Sequence, residues 1–179
     1  MDLSVVTLGN EVLREKAVSV ETFDQALEDT VRQMFVLMRE KKGVGLAAPQ
    51  VGISRRFFVT EAVDDKPRVF INPEIIETSQ ETVKGEEGCL SLPGVWANVV
   101  RPYSVKVQAQ DLTGKIFHLN AEGWLARIIL HENDHLNGLL FVDRLPQNVK
   151  NKVINIFNLI NINSIVSNFT ISDIIETIN

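Results

Sequence analysis

The sequence predicts an α+β fold in which short, mostly antiparallel strands pack around a central helix, with an N-terminal helix before them and a C-terminal helix after them. Apolar residues recur every three or four positions over about 24–41, which indicates the first helix. Turn and strand signals fill 43–119, and a second apolar helical pattern covers about 122–137. Helices that flank a run of short strands are typical of the α+β class.

The ends of these elements follow from residues that favour turns. Gly43 and Gly138 are expected to end the first two helices in a left-handed conformation. Short strands are predicted over 56–60, 68–71 and 99–110, the second ended by Asn72-Pro73. The turn Asp111-Leu112-Thr113-Gly114 then leads into a returning strand over 115–119, so these residues form a hairpin.

A change of composition after Pro146 divides the chain into two parts. We expect a catalytic domain over 1–147 and an Asn- and Ile-rich extension over 148–179, which holds eight asparagines. Pro146 suits the first turn of a helix, although Asn and Ile are mediocre helix formers. Whether this extension packs, frays or contacts a partner is left open. Its apolar residues at helical spacing are Val149, Val153, Ile156 and Ile160, then Ile162, Ile165, Val166 and Phe169.

Composition excludes several classes of protein. With 179 residues, 45% of them hydrophobic, the chain is long enough for one domain with a real core. A net charge of −5 gives no basic stripe, so no direct nucleic-acid site is expected. The single cysteine excludes an internal disulfide. No secretion signal and no run of ~20 apolar residues is found, so we expect a cytoplasmic protein without membrane contact.

The pentapeptide His131-Glu132-Asn133-Asp134-His135 is an H-E-x-x-H motif. Residues four apart lie on one helix face, so His131 and His135 can converge on one metal ion. Glu132 projects ~100° around the helix, where its carboxylate can reach a water at the ion without being a ligand. The alternative is a helix with two surface histidines, but the chain has only three histidines in all. Trp124 and Ile128 continue the same face as an apolar wall.

A catalytic metal wants three protein ligands and an open position, and Cys89 best supplies the third. The extended pattern with a third histidine fails because Phe141 occupies that position, and the only glutamate after the motif is Glu176. A lone cysteine is more often a small buried hydrophobe. Here the missing ligand and the neighbouring Gly88, which permits close backbone approach, favour the metal.

The segment Gly43-Val44-Gly45-Leu46-Ala47-Ala48-Pro49-Gln50 lacks the trailing residues of a phosphate loop. Its small residues suit close approach by an extended substrate, and the Gln50 amide can donate to a developing oxyanion. Taken alone, the segment is better interpreted as a plain turn between a helix and a strand.

Together with Glu87-Gly88-Cys89-Leu90-Ser91 and the H-E-x-x-H motif, this segment resembles the three signature motifs of the peptide deformylase family, over about residues 4–145. The resemblance implies a metal-dependent hydrolase that removes the N-formyl group from the formyl-methionine of newly synthesised polypeptides. It implies that Cys89, His131 and His135 hold the metal and that Glu132 transfers the proton. Iron(II) is implied as the ion in the cell, with Zn²⁺, Ni²⁺ or Co²⁺ able to replace it.

The resemblance also implies how the substrate is bound. The Gln50 amide and the Leu90 N–H would stabilise the tetrahedral intermediate, and Gly45 would offer backbone hydrogen bonds. The positions of Val44, Trp124 and Ile128 would line the methionine pocket, with Trp96 beside the next subsites.

The sequence departs from the family at Leu130, which is usually Gln, and at Trp124, which is bulkier than usual and would reshape the pocket. Expected partners are nascent formyl-Met polypeptides and, transiently, the ribosome. The C-terminal basic helix that many bacterial members use for docking is absent, which puts that docking mode in doubt.

Two alternatives remain: a general H-E-x-x-H metalloprotease, and a deformylase-like domain kept for binding. Glu87 is equally a partner of a metal ligand or a solvated loop carboxylate, Asp134 is expected to pair with Arg101, and His118 to lie on a strand surface.

Overall fold

The computed structural model describes residues 3–62 and 66–165. Helix α1 spans Gln25–Glu40. Asp24 caps its first turn by accepting a hydrogen bond from the Leu27 N–H at 3.0 Å. The expected stop at Gly43 is wrong by one residue, because Lys42 takes the left-handed conformation (φ 57°) while the Gly43 N–H donates to the Met38 carbonyl.

Within the described residues, seven strands form two antiparallel sheets: Gly45–Ala47 (β1), Phe57–Ala62 (β2), Lys66–Thr78 (β3), Thr82–Cys89 (β4), Leu92–Pro102 (β5), Ser104–Gln110 (β6) and Ile116–Glu122 (β7). Strands β1, β2, β3, β6 and β7 form one sheet in that order, and β4 and β5 form a two-stranded sheet of their own. The hairpin that turns at Asp111–Gly114 pairs β6 with β7, as the sequence predicts.

Two strand predictions need correction. β3 does not end at Asn72-Pro73 but continues to Thr78 past an irregularity in its pairing with β6. Asn72 has φ 48°, and its side chain bonds to both the N–H and the carbonyl of Val20 at 2.8 Å, which holds the kinked strand in place. The single strand predicted over 99–110 is two strands, because the chain leaves one sheet after Pro102 and enters the other at Ser104.

Helix α2 spans Gly123–His135 and packs on the larger sheet, where Ala126 and Ile129 are fully buried. Gly138 adopts φ 71° just beyond the helix, as predicted, and a Cβ there would lie 2.5 Å from the Arg14 carbonyl oxygen. The α2 helix therefore lies at the centre of the fold, between the sheet and the β4–β5 hairpin. The predicted α+β class, with an N-terminal and a C-terminal helix, is confirmed.

Helix α3 spans Gln147–Ile165 and begins directly after Pro146, as predicted. Val153 and Phe157 are buried against an apolar cluster that includes Val95 of β5 and Phe141. Val149, Ile156 and Ile160 pack at the margin of this cluster, while Ile162 is exposed. The predicted positions Ile165, Val166 and Phe169 have side chains outside the described residues. Of the helices within the described ranges, none is long and apolar enough to cross a membrane.

Candidate active site

The two histidines and the glutamate of the H-E-x-x-H motif are buried on α2. His131, Glu132 and His135 expose 8%, 4% and 0% of their surface. Their four-residue spacing places the two imidazole rings 5.2 Å apart, edge to face. The alternative interpretation, a helix with two surface histidines, is therefore wrong.

Cys89 reaches the two histidines from the hairpin. It ends β4 at a register shift, where the pairing changes from Gly88 with Trp96 to Cys89 with Leu92. The Cys89 Sγ lies 3.2 Å from the His135 Nε2. The thiol sulfur and one ring nitrogen from each histidine lie within 4.8 Å of one another. The structure thus brings together the three residues that the sequence analysis selected as ligands.

Glu87 orients His131 from the far side of its ring. Its Oε2 accepts from the His131 Nδ1 at 2.9 Å, and its two oxygens accept from the Arg101 Nε and Nη2, both at 2.9 Å. Burial opposes ionisation of Glu87, but the hydrogen bonds from Arg101 and His131 hold its pKa well below the usual value. Because Nδ1 is bound to this carboxylate, Nε2 is the His131 nitrogen that remains for a metal ion. The solvated-loop alternative for Glu87 is wrong.

Two arginines extend this network. The predicted Asp134–Arg101 pair is present, with the Arg101 Nη1 donating to the carboxylate at 2.6 Å. Arg127, which the sequence analysis missed, donates to the Glu87 Oε1 at 2.7 Å. The sequence did contain a signal for this arginine. Arg127 is the one charged residue in the apolar half-helix 124–130, and it lies four positions before His131.

The Glu132 carboxylate is buried beside the backbone of β1. Burial raises the pKa of Glu132 to about 7. Among the described residues, its Oε2 has no hydrogen-bond partner. A Cβ at Gly45 would overlap this carboxylate, so only glycine fits there. A carboxyl with a pKa near neutrality and a free oxygen is suited to both accept and release a proton.

Gln50 is held so that its amide nitrogen faces the cysteine. It lies in a short 3₁₀ turn, Ala48–Val51, and its Oε1 accepts from the Ala47 N–H at 2.8 Å. The Nε2 lies 3.4 Å from both the Cys89 Sγ and the Ser91 Oγ. Because the oxygen is already bonded, the donor end of the amide points toward the site.

A cavity of about 1030 Å³ opens beside these groups, and both polar and apolar residues of the predicted site line it. Ile128 is buried in its wall, and Trp124 is half exposed at its margin. Trp96, 62% exposed, lies over Gly88. The predicted residues that line the cavity are Val44, Gly45, Gln50, Cys89, Leu90, Trp96, Trp124, Ile128, His131 and Glu132.

Two residues lie away from this cavity. Leu130 packs against the main hydrophobic core. His118 is exposed on β7 and lies 3.0 Å from the Gln108 Oε1 across the hairpin, as expected for a strand-surface residue.

The donors present fit a transition-metal ion. A thiolate with two imidazoles is a ligand set for zinc, iron(II), cobalt or nickel. The carboxylate bound to His131 Nδ1 is the outer partner that metal-ligating histidines usually have. Burial lowers the pKa of His135, so its imidazole is neutral, which is the form that binds a metal.

Comparison with known proteins agrees with this geometry. The family model described as polypeptide deformylase matches residues 3–151. The chain belongs to the peptide deformylase family. A peptide deformylase of Chromobacterium violaceum is 51% identical over 147 residues, which cover 81% of this chain and 87% of that protein.

Solved structures of the family share the fold. The peptide deformylase of Thermotoga maritima is 44% identical, with a TM-score of 0.79 over 82% of this chain and 99% of that one. The peptide deformylase of Legionella pneumophila is 38% identical, with a TM-score of 0.86 over 95% of this chain and 100% of that one.

As a member of the peptide deformylase family, the chain is a metal-dependent hydrolase. It removes the N-formyl group from the N-terminal formyl-methionine of newly synthesised polypeptides, as predicted. This membership favours the deformylase prediction over a general metalloprotease or a binding-only domain.

Proposed function

We propose that Cys89, His131 and His135 hold one divalent metal ion per chain. The observation that carries this proposal is the convergence of one sulfur and two ring nitrogens within 4.8 Å, beside a buried glutamate. Three protein ligands leave a position for water or substrate, as in other catalytic sites. An ion held there supplies Lewis acidity, which brings the pKa of water toward ~7 and polarises the formyl carbonyl.

The ion in the cell is iron(II), and Zn²⁺, Ni²⁺ or Co²⁺ can replace it. The ligand set accommodates all four, and affinity order alone does not choose among them. The resemblance of the three motifs to those of the family supports iron(II).

Glu132 moves the proton. Its carboxylate accepts a proton from the attacking water and delivers it to the amine nitrogen as the C–N bond breaks, which releases formate and a free N-terminal methionine. Its buried position, its free oxygen and its neighbours His131 and Gly45 support this role. A group that first accepts and then donates works best when its pKa lies near the working pH.

Gln50 and Leu90 stabilise the negative charge that develops on the formyl oxygen. The Gln50 Nε2 faces the site because its Oε1 is held by the Ala47 N–H. The Leu90 N–H follows Cys89 directly and lines the same cavity. Donors fixed in place before the reaction stabilise an oxyanion without any cost of reorganisation. Gly45, in β1 at the edge of the larger sheet, offers backbone hydrogen bonds to the extended peptide.

The apolar part of the cavity holds the methionine side chain. Val44, Trp124 and Ile128 line it, and Trp96 flanks the subsites for the residues that follow. A formyl carbon carries only hydrogen besides oxygen and nitrogen, so a cramped site excludes acetyl and larger groups by shape.

The protein acts on nascent formyl-Met chains in the cytoplasm, with transient contact to the ribosome. Residues 153–179 contain no lysine or arginine, so we do not assign this contact to that segment. Residues 1–147 form the catalytic domain, and 148–179 form an extension, of which the described part packs on that domain through Val153 and Phe157.

The test compares metal-loaded wild type with Glu132→Gln, using a formyl-Met peptide and formate release. Loss of one general acid–base group lowers kcat by about 10²–10⁴-fold, while metal content stays at one ion per chain. Glu122→Gln, an exposed carboxylate at the start of α2, is the matched control and keeps full activity. An active Glu132→Gln variant would refute the role of Glu132, and an inactive metal-loaded wild type would refute the whole proposal.

A further inference from the structure

Arg127 forms an unusually complete set of contacts for a residue outside the motifs. Its side chain is buried, and its Nη1 donates to the Glu87 carboxylate at 2.7 Å and to the Val99 carbonyl at 3.0 Å. Its Nη1 also lies 3.3 Å from the Gly85 carbonyl, and its Nη2 donates to the Val83 carbonyl at 2.7 Å. All four acceptors belong to the β4–β5 hairpin. A buried arginine is costly unless its donors are satisfied, and here the hairpin supplies acceptors to both Nη groups.

The proposed metal ligands come from two separate elements. Cys89 ends a strand of the hairpin, which within the described residues is a two-stranded sheet of its own. His131 and His135 lie on α2, which packs on the other sheet. Because neither element fixes the other through strand pairing, the distance from the thiol to the imidazoles depends on what ties the hairpin to the helix.

Two buried polar ties flank His131 along α2. Asp134, three residues after it, accepts from Arg101 of the hairpin at 2.6 Å. Arg127, four residues before it, reaches the hairpin backbone at three carbonyls and shares Glu87 with His131. The histidine therefore lies between two fixed points.

The hairpin leaves space for this arginine at Gly85. A Cβ at that position would lie 2.9 Å from the Arg127 Nη2 and 3.0 Å from its Cζ. Any larger residue at 85 would displace the guanidinium from its carbonyl acceptors.

We propose that Arg127 is a positioning residue of the metal site, an inference that rests on the proposed ligands. It sets the separation between Cys89 and the histidines by fixing the hairpin on α2, and it holds Glu87 in place for His131. The planar guanidinium presents five N–H donors in a rigid fork, whereas the lysine ammonium is a compact point charge with three donors and cannot reproduce that geometry. Loss of Arg127 therefore weakens metal binding and distorts the thiolate ligand, in addition to any effect on folding.

The test measures Co²⁺ affinity by competition with a chelator, together with the near-ultraviolet thiolate-to-cobalt absorption band. Arg127→Met, which keeps length and loses charge, is expected to bind Co²⁺ about 10–100-fold more weakly and to shift or weaken that band. Arg127→Lys is expected to recover only part of the affinity. Val153→Ala loses packing in α3 but removes no hydrogen bond of the network, so it lowers the melting temperature of the metal-free chain and leaves affinity and band unchanged.

Gly85→Ala provides a second variant that keeps the arginine, in case Arg127→Met does not fold. It presses on the guanidinium from the hairpin side, so it should lower Co²⁺ affinity and shift the band in the same direction. The positioning role is overturned if Gly85→Ala and the folded Arg127 variants keep wild-type Co²⁺ affinity and band. It is also overturned if their loss of Co²⁺ affinity is no larger than that of Val153→Ala at the same loss of melting temperature. A wild-type chain that binds no Co²⁺ overturns the metal site and this inference together.

Discussion

Helices α2 and α3 both lie against the β4–β5 hairpin, but they bury different chemistry. On α2, the inward side chains include Arg127, His131, Glu132 and Asp134, which are ionisable. On α3, the buried side chains Val153 and Phe157 are apolar and pack on apolar neighbours.

The two helices make different contributions to free energy. Buried apolar groups stabilise a fold by about 25 cal/mol per Å² of apolar surface removed from water, and they need no hydrogen-bond partner. Buried charges contribute little net stability even when paired, and an unpaired one costs several kcal/mol. A helix that keeps five ionisable side chains buried, His135 among them, is therefore constrained by what those groups do, whereas α3 is constrained mainly by packing. Changes around the α2 site should cost activity, and changes on α3 should cost stability.

Gln50→Ala is expected to have the largest effect of this set on activity. Loss of one oxyanion donor lowers kcat by about 10²–10³-fold, while the metal content of the chain stays at the wild-type value. The measurement is formate release at saturating formyl-Met peptide, with metal analysis of the same sample. Gln108→Ala, on β6 and away from the cavity, should behave as wild type. A Gln50→Ala variant with normal kcat would remove Gln50 from the mechanism.

Phe157→Ala is expected to lower stability and to leave activity unchanged. Truncation of a fully buried phenylalanine costs about 3–5 kcal/mol of unfolding free energy, but Phe157 does not line the cavity. Urea unfolding should show the loss, and kcat/KM per folded molecule should stay within twofold of wild type. Asn158→Ala, exposed on the same helix, should change neither quantity. A specific loss of kcat in the folded Phe157 variant would break the comparison.

Trp124→Leu sharpens the comparison within α2 itself. Trp124 lies at the apolar margin of the cavity and is 49% exposed, so its loss should cost substrate contact more than stability. Removal of about 1–1.5 kcal/mol of apolar contact raises KM for a formyl-Met peptide about tenfold and leaves kcat unchanged. Ile116→Ala, exposed on β7, is the control. Unchanged KM in Trp124→Leu would place the methionine side chain elsewhere.

Asp143→Asn, in the 3₁₀ turn Phe141–Arg144 before α3, is expected to have the smallest effect. Burial opposes the ionisation of Asp143, but hydrogen bonds from Lys150 and the Leu140 N–H lower its pKa. The ionised group therefore stabilises the fold above the unfolded pKa of about 3.9, and this stability is lost as the pH falls through the lower folded pKa. The variant should lose up to about 1 kcal/mol near pH 7, and the difference should disappear in acid. A difference in unfolding free energy that stays constant at every pH would contradict this account. Asp29→Asn, an exposed carboxylate on α1, is the control.

Local patterns made the H-E-x-x-H part of the site predictable. Residues four apart on a helix must share a face, so His131 and His135 could be assigned from spacing alone. Cys89 required elimination of other ligands, because nothing local to it fixes its distance from α2. The hairpin that delivers it was missed as a pair of strands, since its glycines and charged residues give a weak strand pattern.

Contacts between distant segments set the features that the sequence analysis did not predict. Lys42, not Gly43, takes the left-handed conformation, and Gly43 is needed instead because a Cβ there would lie 2.8 Å from Leu90. The continuation of β3 past Asn72 depends on hydrogen bonds to Val20, fifty-two residues away. Arg127 gains its partners only when the hairpin folds onto α2.

The central claim is that one metal ion, held between the hairpin and α2, serves the deformylase reaction. Its most direct test is a titration of chelator-stripped protein with Ni²⁺, in which bound metal and formate release from a formyl-Met peptide are followed together. The account predicts that stripped protein is inactive and that activity rises in proportion to bound metal until one ion per chain is reached, whereas Cys89→Ala fails to reach that end point. Full activity in the stripped protein, or wild-type binding and activity in Cys89→Ala, would contradict it.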